Sequence, residues 1–265
     1  MGLALQASNE PFETRAPLLS HPVSGRIIRQ VARIGACIVL ASGAAFGLLL
    51  VATPSVSDAR ALVRAQAVTH GVVYPGPATP LRFTQALVAT EDHRFFLPFD
   101  PGVDPVAIAR VGLYELAGHR GDPGGSTIAQ QLAKMLYVPQ REGFMGKLER
   151  VALAIKLSFS YSRSEILSMY AEVAYFGDGY YGLATASCGY FGKRPNDLSW
   201  AQAATLAGVV NAPTADDPRT HPNAARSRAT HVFDRLVAVG DLTRAQTTAA
   251  LSEPLGLRAD KGAGC

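Results

Sequence analysis

The sequence predicts a mainly α-helical domain preceded by one N-terminal apolar helix, and three observations carry that reading. Capping boxes, in which a serine or threonine is followed three residues on by Glu or Gln, open helices at Ser162, Ser199 and Thr243. Few runs alternate apolar and polar residues as half-buried strands do, so any sheet is small. Twenty consecutive residues from Ile34 to Thr53 carry no charge. At about 1.5 Å per residue they reach roughly 30 Å as a helix, the thickness of a bilayer's hydrocarbon core.

Residues 1–25 are polar and proline-containing without periodicity, and read as a disordered cytoplasmic tail. Residues 26–53 read as a transmembrane anchor. Arg15, Arg26, Arg29 and Arg33 lead into the apolar run, which keeps that end in the cytoplasm and the bulk of the chain outside it. Arg60 and Arg64 follow with Asp58 and dilute the asymmetry. A cleaved signal peptide is the rival, with Ser55-Val56-Ser57 at a plausible cleavage spacing, but such peptides carry only about 7–15 apolar residues. Residues 54–80 read as a linker, with a helix over 60–68 and a Pro/Gly-rich loop over 74–80.

The globular domain is expected over 81–255, with a short tail over 256–265. Thr84 caps a helix running to Phe95 after an apolar stretch that begins near Phe83. Asp104-Pro105 starts another, with proline at its first position, to about Gly118. Residues 121–125 form a loop, a helix opens at Ser126, and 147–159 is helical by period. The Ser162 box opens the helix carrying Tyr170, the Ser199 box an Ala/Leu-rich helix to Val210, and the Thr243 box the last helix. Between the last two, Pro222 starts a helix carrying Arg226, Arg228 and Arg235.

At 265 residues and 48% hydrophobic content, the chain holds an anchor and one domain with a real core. The net charge of +4 suits anionic lipid headgroups or a pyrophosphate. No basic run with interleaved aromatics marks a nucleic-acid site. Cys37, Cys188 and Cys265 have no zinc spacing and form no framework, so each reads as a small hydrophobe or free thiol.

Two motifs carry the chemistry. In Gly124-Gly125-Ser126-Thr127-Ile128-Ala129-Gln130-Gln131-Leu132-Ala133-Lys134, the glycines admit a ligand to the backbone and Ser126 or Thr127 can cap. The free first-turn N–H groups favour an anion. Lys134 follows Gln130 at i+4, so an amide and an ammonium share one face. The plainer alternative is a capped amphipathic helix whose Ile128, Leu132 and Met135 face a core. The second motif is Glu91-Asp92-His93-Arg94-Phe95-Phe96, upstream of the first.

Together these motifs resemble Glu-Asp-x-x-Phe and Gly-Gly-Ser-Thr-Ile-x-Gln-Gln-x-x-Lys of glycosyltransferase family 51, the peptidoglycan glycosyltransferases found alone or fused to penicillin-binding proteins. The resemblance continues through Ser164-Glu165-Ile166-Leu167, Tyr170, Tyr175-Phe176-Gly177, Tyr190-Phe191-Gly192-Lys193, Leu206-Ala207-Gly208 and Asn211-Ala212-Pro213. It covers about residues 80 to 240. No Ser-x-x-Lys with a companion Lys-Thr-Gly accompanies it, so a monofunctional transglycosylase without a transpeptidase is expected.

The resemblance implies a lysozyme-like helical lobe, a smaller membrane-facing lobe and a groove between them. It implies polymerisation of lipid II into β-1,4-linked glycan, with release of undecaprenyl diphosphate, on the outer side of a bacterial inner membrane. The partners implied are lipid II, the growing strand, the bilayer and other cell-wall synthesis proteins. Glu91 takes the role of base, accepting the proton of the attacking 4-hydroxyl. Lys134, Lys147 and Arg228 match positions that meet the diphosphate, as negative charge builds there on bond breaking. Asp92, Phe95, Ser126, Gln130 and Gln131 match groove-lining positions. Mg²⁺ or another divalent cation is the implied cofactor.

Three departures stand out. The family's His-Gly pair after its first motif is replaced by Leu97-Pro98-Phe99-Asp100-Pro101-Gly102, and Met135 stands where the family has Asn. In the third motif, Gly146-Lys147-Leu148-Glu149-Arg150 replaces Arg-Lys-x-Lys-Glu, with Ala154 and Leu157 fixing the register. Arg150 thus stands in place of a second carboxylate, and Glu149 is about 100° away around the helix. A homologue that binds lipid-linked glycan or a cell-wall synthesis partner without turnover is the alternative. A glycosidase would need two carboxylates flanking the scissile bond, and the Lys134-bearing helix suits a diphosphate better.

Overall fold

Four of the ten helices among the described residues open on reciprocal side-chain capping boxes. The computed structural model describes residues 25–97, 101–104, 113, 117–118, 125–141 and 143–259. The tail over 1–24, most of the helix expected after Asp104, the loop residues 121–124 and the terminal 260–265 lie outside the described residues. The chain forms two compact units, Met1–Ala45 and Phe46–Cys265.

The first helix, α1 (Gly25–Ala52), contains a 24-residue span, Arg29–Ala52, of mean hydropathy 2.4. None of that span is buried by the rest of the chain, so Ile34, Ile38, Val39 and Leu40 stand exposed. Such a surface is costly in water and cheap in lipid.

Ten α-helices are present among the described residues, with no strand and a single β-bridge between Tyr175 and Tyr181. After α1 come α2 (Ala59–Thr69) and α3 (Leu81–Glu91). The first of these buries Ala59, Val63 and Ala67, so residues 54–80 are not simply a connector: their helix belongs to the folded unit. Helix α3 starts three residues before the expected Thr84, because Pro80 takes the cap position and its carbonyl already accepts from Thr84 N at 2.9 Å.

Next come α4 (Ile128–Tyr137), α5 (Gly143–Ser160), α6 (Arg163–Val173) and α7 (Leu183–Phe191). A 3₁₀ turn over Pro195–Asp197 leads to α8 (Trp200–Val209), α9 (Pro222–Val239) and α10 (Arg244–Ser252). All three expected capping boxes are made, at Ser162 with Glu165, Ser199 with Gln202 and Thr243 with Gln246. A fourth, Thr127 with Gln130, opens α4. Pro222 is the first residue of α9, as its fixed φ and missing N–H favour.

The helices form two groups. In one, α3, α8 and α9 pack mutually; in the other, α4 packs on α5 and α6, and α2 covers α6. Phe83, Leu87, Leu132, Leu153, Ile166, Tyr190 and Phe233 are fully buried in the core. Residues beyond α10 dock onto the fold: Gln202 Nε2 donates to Leu255 O at 3.0 Å and Arg258 N to Tyr190 O at 2.8 Å. Cys188 is disulfide-bonded, which corrects the expectation of three unpaired cysteines; only Cys37 is free among the described residues.

Candidate active site

Between the two helix groups lies a cleft of about 1180 Å³. Its walls are Thr90 and Glu91 at the end of α3, Gln130, Gln131, Lys134 and Met135 on α4, Arg150 on α5 and Tyr170 on α6. Arg228, His231 and Arg235 of α9 close the opposite side, with Val210, Asn211 and Pro213 beyond α8.

Glu91 ends α3, and its side chain is only 8% exposed. Arg228 Nη2 donates to Glu91 Oε1 at 3.2 Å and Gln131 Nε2 to Oε2 at 2.8 Å. Gln131 is itself fixed, because Tyr170 O–H donates to its Oε1 at 3.0 Å and so settles which way the amide faces. Burial, and secondarily the Glu91 charge, push the Tyr170 phenol far above its ordinary range, so it remains a donor.

Arg228 reaches this carboxylate only because Gly208 lets it cross α8. A Cβ at Gly208 would lie 2.8 Å from Arg228 Cγ, and Arg228 Nε donates to the Gly208 carbonyl. The pattern Leu206-Ala207-Gly208 is therefore a passage for a cation.

The opening of α4 works differently from the expectation of free donors awaiting an anion. Ile128 N donates to Asp92 Oδ2 at 3.2 Å, and Gln130 N to Thr127 Oγ1 at 3.2 Å. A protein carboxylate already occupies the helix start, where the helix dipole favours it. Asp92 is 6% exposed and acts as a strut between the two motifs. Gln130, 8% exposed, points its Oε1 at Thr127 N at 3.3 Å, so its amide is spent largely on the cap although it borders the cleft. Ser126 is exposed at the rim, and Lys134 is an exposed ammonium on the cleft wall.

Two expected groove residues are elsewhere. Phe95 is fully buried, edge-on to Phe96 with centroids 5.0 Å apart and 5.5 Å from the Arg163 guanidinium: an apolar ring at a tight turn minimises exposed area by entering the core. Lys147 is half-buried on α5 and does not line the cleft.

Glu149 and Arg150 separate as the helical step requires. Glu149 turns from the cleft into an ion pair with Arg141, and Arg150 lines the cleft, its Nη1 donating to Arg141 O at 2.9 Å.

His93, His231, Arg235 and Asn211, to which the motifs assign no role, also line the cleft. His93 lies inside the first motif at an unspecified position. Partial burial, then Arg94 and Arg235, hold its imidazole below the ordinary histidine range, with Asp104 opposing. Arg235 Nε donates to Ala89 O at 3.2 Å, so it braces the end of α3. Its place seven residues after Arg228, on the same face of α9, was the available signal.

A divalent cation takes oxygen ligands, above all carboxylates. Among the described residues no three Asp, Glu, His or Cys side chains converge on one point. The three described carboxylates of the cleft are engaged: Glu91 as above, Asp92 with Ile128 N, and Asp104 with Arg94 at 2.7 Å. With Lys134, Arg150 and Arg235 on the same walls, these residues do not fit a protein-held divalent cation.

A helical fold around a large, cation-lined cleft with one caged carboxylate is suited to chemistry on an anionic substrate. The chain belongs to the transglycosylase family, whose profile matches residues 62–237. A transglycosylase-like protein of Cupriavidus necator is 36% identical over 179 residues, covering 68% of this chain and 76% of its own. Penicillin-binding protein 1A of Aquifex aeolicus is 37% identical over 179 residues, covering 68% of this chain and 24% of its own. The chain thus spans about a quarter of that longer relative. A crystal structure of penicillin-binding protein 1A from Haemophilus influenzae aligns with 68% of this chain and 17% of its own, at 20% identity and a TM-score of 0.41.

Proposed function

We propose that this chain is a membrane-anchored peptidoglycan glycosyltransferase that polymerises lipid II into β-1,4-linked glycan and releases undecaprenyl diphosphate. The observation that carries the reading is the Glu91 carboxylate, nearly buried at the cleft and held by Arg228 and Gln131. A sugar hydroxyl entering beside it gives its proton to Glu91 as the oxygen bonds to the donor C1. The C1–O bond to the diphosphate breaks on the opposite face, the electron pair leaves with the diphosphate, and C1 inverts. Lys134, Arg150 and Arg228 supply positive charge where the leaving group gains its negative charge.

The apolar span of α1 supports anchoring in the bilayer that holds the substrate's lipid tail, with the arginine-rich end in the cytoplasm. Exposed Phe144, Met145 and Phe159 give the globular unit apolar surface compatible with the same interface.

A second reading has its own observation. Arg150 enters the cleft while Glu149 is committed to Arg141, so no second carboxylate recovers the family position. That geometry suits a protein that holds lipid-linked glycan without turnover.

Incubation of full-length protein with labelled lipid II and Mg²⁺ separates the readings. Polymer formed by the parent supports the transferase. No polymer from the parent, with polymer regained in Arg150→Glu, supports the binder.

A further inference from the structure

The cleft has a positive charge where the resemblance implies a carboxylate and its metal, and that charge is built in. Gly146 has no side chain because Arg141 closes on it: a Cβ there would lie 2.4 Å from the Arg141 carbonyl oxygen. The same carbonyl accepts from Arg150 Nη1 at 2.9 Å, and the Arg141 side chain is tied back to Glu149. Arg141, just before α5, and Gly146 and Glu149 within it thus seat one guanidinium. Its remaining donors have no partner among the described residues, and Lys134 stands exposed on the facing α4 wall. A guanidinium grips phosphate oxygens in a fork, and a fixed cation needs no ion to be recruited.

We propose that Arg150, with Lys134, supplies in side-chain form the charge that a divalent cation would supply, so that this protein binds a lipid diphosphate without metal. The inference rests on the lipid-diphosphate substrate proposed above. The carboxylates that a bound cation would need are engaged elsewhere, and the two positive charges repel a metal ion from the place where the diphosphate is neutralised.

The test is the affinity of full-length protein in detergent for undecaprenyl diphosphate, by calorimetry, in EDTA and in excess Mg²⁺. The parent is expected to bind equally within about twofold in both conditions. Arg150→Gln, which leaves the Glu149–Arg141 pair and the helix intact, weakens binding about tenfold or more in both, the weight of one charge-assisted contact. Arg150→Glu loses binding in EDTA and regains it in Mg²⁺. Parent binding that vanishes in EDTA but persists in Mg²⁺ overturns the inference and leaves the substrate class standing. So does unchanged affinity in Arg150→Gln. Absence of parent binding in both conditions overturns the substrate class itself, and the inference with it.

Discussion

Glu91 is held by a chain of fixed partners, and each partner has a reason to be where it is. Gly208 clears the path of Arg228, so Gly208→Ala pushes that side chain off its line. The expected result is a fall in polymerisation of about tenfold or more with a change in melting temperature of only a few degrees. Polymerisation at the parent rate would show that Arg228 reaches Glu91 by another route. Glu172, outside the cleft, gives a separate check on burial. Desolvation raises its carboxyl above the ordinary range even though Gly76 N donates to it at 3.0 Å. A raised carboxyl binds its proton more tightly folded than unfolded, so this residue costs stability as pH rises through its folded value. Glu172→Gln keeps an acceptor for Gly76 and is expected to melt higher at neutral pH, with the gain shrinking in acid; a lower melting temperature at neutral pH contradicts the account. At this scale Glu91, Gln131, Lys134 and Arg228 were legible, because polar types at motif spacing face one cleft. Gln130 was legible as a cleft residue but not in its use as a cap, and Phe95 was not legible, since burial at a turn depends on packing that spacing does not encode.

Helix starts marked by capping boxes were the most legible elements, because a cap involves residues within four positions of one another. Helices α3 and α5, which have no such box, start at Leu81 and Gly143, ahead of the expected Thr84 and Lys147. Ser162, Ser199 and Thr243 each make the reciprocal bonds that their sequences specify. The opening of α4 was legible only in part. Its caps were visible, whereas Asp92, from 36 residues upstream, was not foreseeable as the acceptor for Ile128 N. Thr127 joins that start to the loop before it, since its Oγ1 caps Gln130 N and donates to Gly102 O at 2.6 Å. Gly102 has φ +83° and lies against α5, where a Cβ would meet Ser158 Oγ. Thr127→Ala therefore removes a cap and the buried hydrogen bond to the Gly102 carbonyl. The expected loss is about 2 kcal/mol in denaturant unfolding. A loss below about 0.5 kcal/mol would mean that water or Gln130 replaces the hydroxyl.

The whole molecule combines an apolar N-terminal helix with a helical unit whose core, cleft and outer helices depend on long-range packing. The apolar run was legible from length alone, as lipid selects for continuous hydrophobicity and not for particular contacts. The place of α2 was less legible, because an 11-residue helix with three buried small or branched residues looks like a linker until α6 is beside it. Placing two arginines in the span, as Leu40→Arg with Ala44→Arg, costs about 5–7 kcal/mol of insertion. The double variant is expected to be released from membranes by alkaline carbonate while the parent is retained; retention of both would show that α1 does not sit in lipid.

Proton acceptance by Glu91 during sugar transfer is the proposal on which the function of this chain rests. It is tested most directly by comparing lipid II polymerisation and lipid II affinity in the parent and in Glu91→Gln. The account predicts polymer from the parent, a turnover at least about 100-fold lower in Glu91→Gln, and affinity within a few-fold of the parent. A parent that binds lipid II and makes no polymer, or a Glu91→Gln variant that polymerises at the parent rate, would contradict it.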